Sequence, residues 1–306
     1  MGILFDVITI GYIFNENIHF PESTSGPFLG GTVSYSSVTL GRLGCVVGIV
    51  SNIGEDMPEA LLSPIYGSNV NTDGLHIRTD SPTTTNVLVY DKEGNKQLLY
   101  LKKASKLSFD DIPIHYFDCR VFYFCPVDFE VSHEVVARVK VMGALTAADM
   151  GGFGGAHCSA ETRGWFLKDR CAILTAYARN LDIVKVSMED CVYLFNERGF
   201  TEHEALQRLL DLGVKIAIMT MGERGAVIAS GNMFVSIPAI PVKAVDTTGA
   251  GDTFMAAFLS EYIRTSDIKA SGLFASAASS ILVERSGGVN IGRIPDRAQV
   301  LKRMGS

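Results

Sequence analysis

The chain reads as an α/β protein with one doubly wound, mostly parallel sheet flanked by helices and a small β insertion. Three observations lead there. Short apolar runs alternate with amphipathic segments along most of the 306 residues, which is the rhythm of βαβ units. Two strand-like runs within residues 84–101 break that rhythm as a hairpin around the turn Asp91-Lys92-Glu93-Gly94. No repeat, low-complexity tract or linker divides the sequence, so one domain over residues 1–306 is predicted.

Taken in order, residues 5–11 (FDVITIG) form a buried strand, and residues 12–20 (YIFNENIHF) alternate as a half-exposed one. A turn is predicted from Pro21 to Pro27. After Gly30-Gly31, the spacing of Val33, Ser37, Leu40 and Leu43 predicts a helix over 33–43, followed by the strand CVVGIVS. Beyond the hairpin come strand 121–125, helix 131–142, strand 144–149 and a glycine-rich loop over 151–155. Then follow strand 182–187, helix 188–195, a helix over 201–213 closed by Gly213, strand 215–222, and apolar helices starting at Ala250 and Asp267.

A hydrophobic fraction of 47% with 20% charged residues predicts a packed globular protein rather than a disordered one. The net charge of -6, without a run of Lys and Arg, argues against a nucleic-acid partner and for a small-molecule one. No apolar run approaches the roughly 20 residues of a membrane span. The six scattered cysteines lack C-x-x-C or metal-like spacing and read as buried thiols. The N-terminus lacks a basic region ahead of its apolar stretch, so a reducing cytoplasm is the expected location. His19, His76 and His157 have no partner spacing suited to metal or triad chemistry.

The chemistry concentrates in Asp246–Asp252 (DTTGAGD). Gly249, Ala250 and Gly251 stand just before the helical pattern of Phe254, Ala257, Phe258 and Tyr262. A small-residue loop feeding a helix start offers backbone N–H groups and the positive end of the dipole to an oxyanion. A carboxylate beside it, Asp252, would reach a hydroxyl presented to the bound phosphate and accept its proton, the layout of a phosphoryl-transfer site. Read alone, the segment is equally a helix start with Asp as a cap. The sequence contains no G-x-x-x-x-G-K-[ST] loop and no H-R-D or D-F-G element, and GAGDTF is not a dinucleotide fingerprint.

DTTGAGDTF resembles the signature of ribokinase-like, PfkB-type carbohydrate kinases. Further segments resemble that family in the right order: GGTVSYSSVTLGRLG (30–44), SNIGED (51–56), DIVKVSMED (182–190) and MTMGERGAVI (219–228). The resemblance implies an α/β core with a β lid, here from about 12–30 and 83–104, with ATP as donor, Mg²⁺, and transfer to a primary hydroxyl. It implies Asp252 as catalytic base and Gly249, Ala250 and Gly251 as the anion hole. Gly222, Glu223 and Gly225 would border ATP, with Thr220 and Ser187 flanking the triphosphate. Asp190 stands where the family usually has Glu, so Asp190 and its neighbour Glu189 are the candidates to hold Mg²⁺ through water. Asp246 and Thr248, with carbonyls near Leu282, Arg285 and Gly287, resemble a monovalent-cation loop for K⁺, although the spacing after Gly287 departs from the family's.

On the acceptor side the resemblance implies Glu16 as a hydrogen-bond partner of acceptor hydroxyls, with Gly30 and Gly31 letting the acceptor lie against backbone. Tyr35 replaces the Asn that sugar kinases often carry, and ADMGGFGG (148–155) lacks the usual D-x-N-x-R text. Tyr35, Phe14, Phe20 and Phe28 would make an aromatic wall suited to a nucleoside base or cyclic polyol, or else pack as ordinary core. These departures weaken a classical ribose or fructose assignment, and the family motifs keep a carbohydrate kinase as the leading expectation. The alternatives are a nucleoside kinase of the same fold and a non-catalytic sugar- or nucleotide-sensing protein. The apolar hairpin edges of the lid predict a homodimer.

Overall fold

The computed structural model describes residues 4–90, 96–153 and 167–305. Among the described residues, thirteen strands fall into two sheets. The large sheet contains β1 (Phe5–Ile10), β4 (Val47–Gly54), β5 (Val70–Arg78), β8 (Cys119–Phe124), β9 (Leu145–Asp149), β10 (Ile183–Val186), β11 (Ile216–Thr220), β12 (Ala226–Ser230) and β13 (Met233–Ile237). Its order is β13-β12-β11-β10-β9-β8-β1-β4-β5, parallel from β5 through β11, with β12 and β13 added antiparallel. The small sheet has order β3-β2-β6-β7, from β2 (Phe14–Phe20), β3 (Ser23–Gly30), β6 (Thr84–Tyr90) and β7 (Lys96–Lys102). The predicted fold class is the one observed.

The central strands are buried along their length, as expected when helices cover both faces. One face packs on helices Thr32–Arg42, Ala250–Thr265 and Ile268–Leu282 through Val38, Leu40, Phe258 and Phe274. The other packs on His133–Lys140, Leu167–Arg179, Met188–Phe195 and Glu202–Asp211 through Val136, Leu174, Cys191 and Leu206. Among the described residues no helix is long and apolar enough to cross a membrane.

Several local expectations change. The predicted turn from Pro21 to Pro27 is strand β3 from Ser23 onward, antiparallel to β2. Its Pro27 is tolerated because β3 is an edge strand, where an absent N–H is not missed by a neighbour. Strands β5, β12 and β13 and helix Arg297–Met304 were not foreseen. Strand β5 hides in VNTDGLHIR, whose Asn, Asp and Gly read as turn residues; it is an edge strand whose register shifts against β4 between Gly48 and Val50. The turn Asp91–Gly94, Gly154, Gly155, His157 and Cys158 lie outside the described residues.

Parallel strands deliver their C-terminal ends to one edge of the sheet. Gly11, Cys125, Asp149, Ser187 and Thr220 therefore line up there, the usual position of a ligand crevice in this architecture.

Candidate active site

Helix Ala250–Thr265 starts at this edge. Its N-cap is Gly249, in the left-handed region at φ 80°, and no side chain among the described residues caps it. A Cβ on Gly249 would lie 2.3 Å from the Tyr35 ring, so only glycine allows both the backbone angle and the contact. On Gly251 a Cβ would meet the Lys185 ammonium at 2.6 Å. The first turn of the helix thus faces space that a buried lysine also faces, and its N–H groups and that ammonium both favour an anion there. Asp252 sits in the same turn.

Lys185 belongs to β10, where it is the direct register partner of Asp149 on β9, and the two form an ion pair at 3.1 Å with both side chains buried. Burial pulls the Lys185 ammonium down, but the carboxylates of Asp149, Asp190 and Asp252 outweigh it and hold the pKa above its ordinary value. The amine is accordingly charged at neutral pH. Burial raises the Asp190 carboxyl, opposed by Lys185 and by the Ser187 N–H, which donates to it at 2.6 Å. Ser187 and Asp190 thereby form the capping box of helix Met188–Phe195.

Two cavities meet at the start of helix Ala250–Thr265. The first, about 390 Å³, is lined by Glu16, Gly31, Tyr35, Asp149, Lys185, Thr248, Gly249 and Asp252, with an apolar side made by Phe14, Leu88, Leu98 and Val127. The second, about 820 Å³, is lined by Thr220, Gly222, Glu223, Gly225, Pro241, Ala250 and Ser276. Thr247 and Gly251 line both. The two spaces are neighbours across the loop that precedes Asp252.

The sequence-predicted residues divide between these spaces. Glu16, Gly31, Tyr35, Thr248, Gly249, Gly251 and Asp252 border the first cavity, and Thr220, Gly222, Glu223, Gly225, Ala250 and Gly251 border the second. Gly30 backs Glu16 from behind, where a Cβ would sit 3.1 Å from the carboxylate. Ser187 and Asp190 line neither cavity but adjoin the first, since a Cβ on its wall residue Gly151 would lie 3.6 Å from Asp190. Glu189 is exposed and borders neither. Of the expected aromatic wall, Tyr35 and Phe14 line the first cavity. Phe28 packs instead against Gly287 and Gly288, and the Phe20 side chain lies outside the described residues.

Four residues went unnoticed in the sequence. Lys185 is a charge inside the apolar strand IVKV, a pattern that demands a buried partner, and Asp149 closes a strand at the ligand edge. Asn86, the register partner of Glu16 in the small sheet, donates to it at 2.8 Å and fixes that carboxylate. Arg293 is 1% exposed and holds the loop before Gly249. Through it the Asp246 and Thr248 carbonyls, read as a K⁺ loop, accept hydrogen bonds from a guanidinium at 2.9 and 2.8 Å.

Comparison with known proteins places this geometry. The chain is 25% identical over 265 residues to the cytidine kinase of Thermococcus kodakarensis, covering 85% of this chain and 90% of that protein. It is 29% identical over 253 residues to a fructokinase of Rhizobium leguminosarum bv. trifolii, covering 78% and 72%. The fold matches Arabidopsis thaliana ribokinase complexed with ribose and ATP, with a TM-score of 0.81 at 22% identity over 100% of both chains. Residues 5–295 match the pfkB family carbohydrate kinase model, and the chain belongs to that family, phosphotransferases with an alcohol group as acceptor.

Proposed function

We propose that the chain moves the γ-phosphate of ATP to a hydroxyl of a sugar or sugar-like polyol held in the 390 Å³ cavity, with Asp252 as general base. One observation carries this reading: Gly251 lines both cavities, and the next residue is the carboxylate. A donor in the larger cavity then presents its terminal phosphate to the helix start, where backbone amides and Lys185 stabilise the charge spreading over its oxygens. On the other side, Glu16, fixed by Asn86, accepts hydrogen bonds from acceptor hydroxyls. Asp252 takes the proton of the attacking hydroxyl. The small sheet roofs the cavity through Phe14, Leu88 and Leu98 and excludes water that would otherwise take the phosphate.

The residues at the junction fit a hydrated Mg²⁺. Among the described residues no three carboxylates, histidines or cysteines gather closely enough to hold a metal ion directly, so the ion would be held through water. Asp190, already bonded to the Ser187 amide, is the residue to hold the ion through water. When bound, Mg²⁺ neutralises phosphate charge.

A nucleoside as acceptor is the second reading. The apolar side of Phe14, Leu88, Leu98 and Val127 suits a base, and the similarity to a cytidine kinase favours it. A thermal-shift screen of sugars against nucleosides separates the two. A homodimer is proposed through the small sheet, whose edge strand β7 exposes Leu99 and Leu101. The reducing cytoplasm remains the proposed location, supported by the free thiols of Cys45, Cys119, Cys125, Cys171 and Cys191.

Asp252→Asn tests the assignment of the base. Turnover is expected to fall about 10³-fold, while ATP binding measured by titration changes little. Turnover near that of the wild type would refute the role.

A further inference from the structure

The structure assigns Arg293 a positioning role as a built-in cation, which makes the site independent of any monovalent metal ion. Every donor of its guanidinium is used. Nη2 donates to the carbonyls of Asp246 and Thr248 at 2.9 and 2.8 Å. Nη1 donates to the Gly288 carbonyl at 3.2 Å and the Tyr35 hydroxyl at 3.0 Å, and Nε donates to the Arg285 carbonyl at 2.8 Å. A guanidinium has five N–H groups, and these bonds account for all of them. The Asp246 carboxylate adds an ion pair at 3.3 Å.

Four main-chain carbonyls from two separate segments, 246–248 and 285–288, therefore point at one buried positive charge. Carbonyl oxygens that converge in this way repel one another unless a cation sits among them. Here the cation is covalently part of the chain. A metal ion competing for the Asp246 and Thr248 carbonyls would face a fixed like charge in a buried, weakly screening place. The loop resembles a K⁺ loop in sequence, but its donors do not fit the ion.

The network reaches the proposed chemistry in two ways. Thr248 adjoins Gly249, so holding the Thr248 carbonyl sets the direction in which the helix start faces. Tyr35, whose hydroxyl takes the Nη1 bond, packs its ring on Gly249. Arg293 touches no reacting atom and acts through these two residues. Its effect on turnover rests on the reading of the site given above, whereas its exclusion of metal does not.

The experiment uses the full chain in KCl, NaCl and choline chloride at equal ionic strength. Thermal melts without ATP or acceptor are expected to agree within about 1 °C, and turnover within about twofold. A saturable rise in melting temperature or turnover specific to K⁺ overturns the inference. The melts decide the question even if the protein phosphorylates nothing. Arg293→Met is expected to lower kcat about 10-fold or more, by misaligning the loop, and Arg293→Lys to recover part of that loss. If Arg293→Met does not fold, Arg293→Lys and the wild-type salt series carry the test. Wild-type kcat in folded Arg293→Met would overturn the positioning role.

Discussion

The smaller cavity holds Glu16, Asp149, Lys185 and Asp252, the first three buried, whereas the charges of the larger one, Glu223 and Arg224, sit on an exposed turn. The rest of the larger cavity is mostly small or apolar surface such as Ala239, Pro241, Ala250 and Phe254, with backbone at Gly222 and Gly225. Electrostatic interactions gain strength as water is excluded. Buried charges at the acceptor side are expected to decide chemistry, and the donor side to bind by shape and main chain.

The largest expected break in this contrast comes from Lys185→Met. It removes the ammonium beside Gly251 and should lower kcat about 10²-fold per folded molecule. It also leaves Asp149 buried without its partner, so the melting temperature should fall too. Stopped-flow turnover normalised to folded fraction separates the effects; a lower melting temperature with unchanged kcat would reduce Lys185 to a structural ion pair. Next in size is Glu16→Gln. Losing charge-assisted bonds to acceptor hydroxyls should raise the acceptor KM about 10-fold with kcat nearly constant, and an unchanged KM would remove Glu16 from the acceptor's contacts. The smallest effect is expected for Glu223→Ala on the exposed turn, where ATP KM should move less than about threefold because exposed charges are screened. A change of ten-fold or more would show that donor binding also depends on charge, and the contrast would fail.

The fold was legible wherever local pattern suffices. The central strands run apolar because both faces are buried, and the helix after Gly249 shows its period within a dozen residues. Strands β3 and β5 were obscured because edge strands accept Pro, Gly and Asn that an interior strand rejects. The helix-start loop and Asp252 were legible because they are contiguous. Lys185 and Arg293 were not, since each gains meaning only from distant partners: Asp149 lies 36 positions from Lys185, and Asp246 lies 47 from Arg293. A lone Lys in a strand and an Arg in a C-terminal loop carry no local sign of what they hold.

The chain passes between the two sheets four times, after β1, after β3, after β5 and after β7. Each passage is pinned. Ile13 N–H donates to Ser51, Val289 N–H to the Leu29 carbonyl, Thr83 N–H to Asp56, and the Asn52 amide to the Ser105 carbonyl. Two of these connections are short, over 11–13 and 79–83, and two are long, over 31–46 and 103–118, the first of these running through helix Thr32–Arg42. The small sheet is therefore tied to the large one at four places rather than hung from a single hinge.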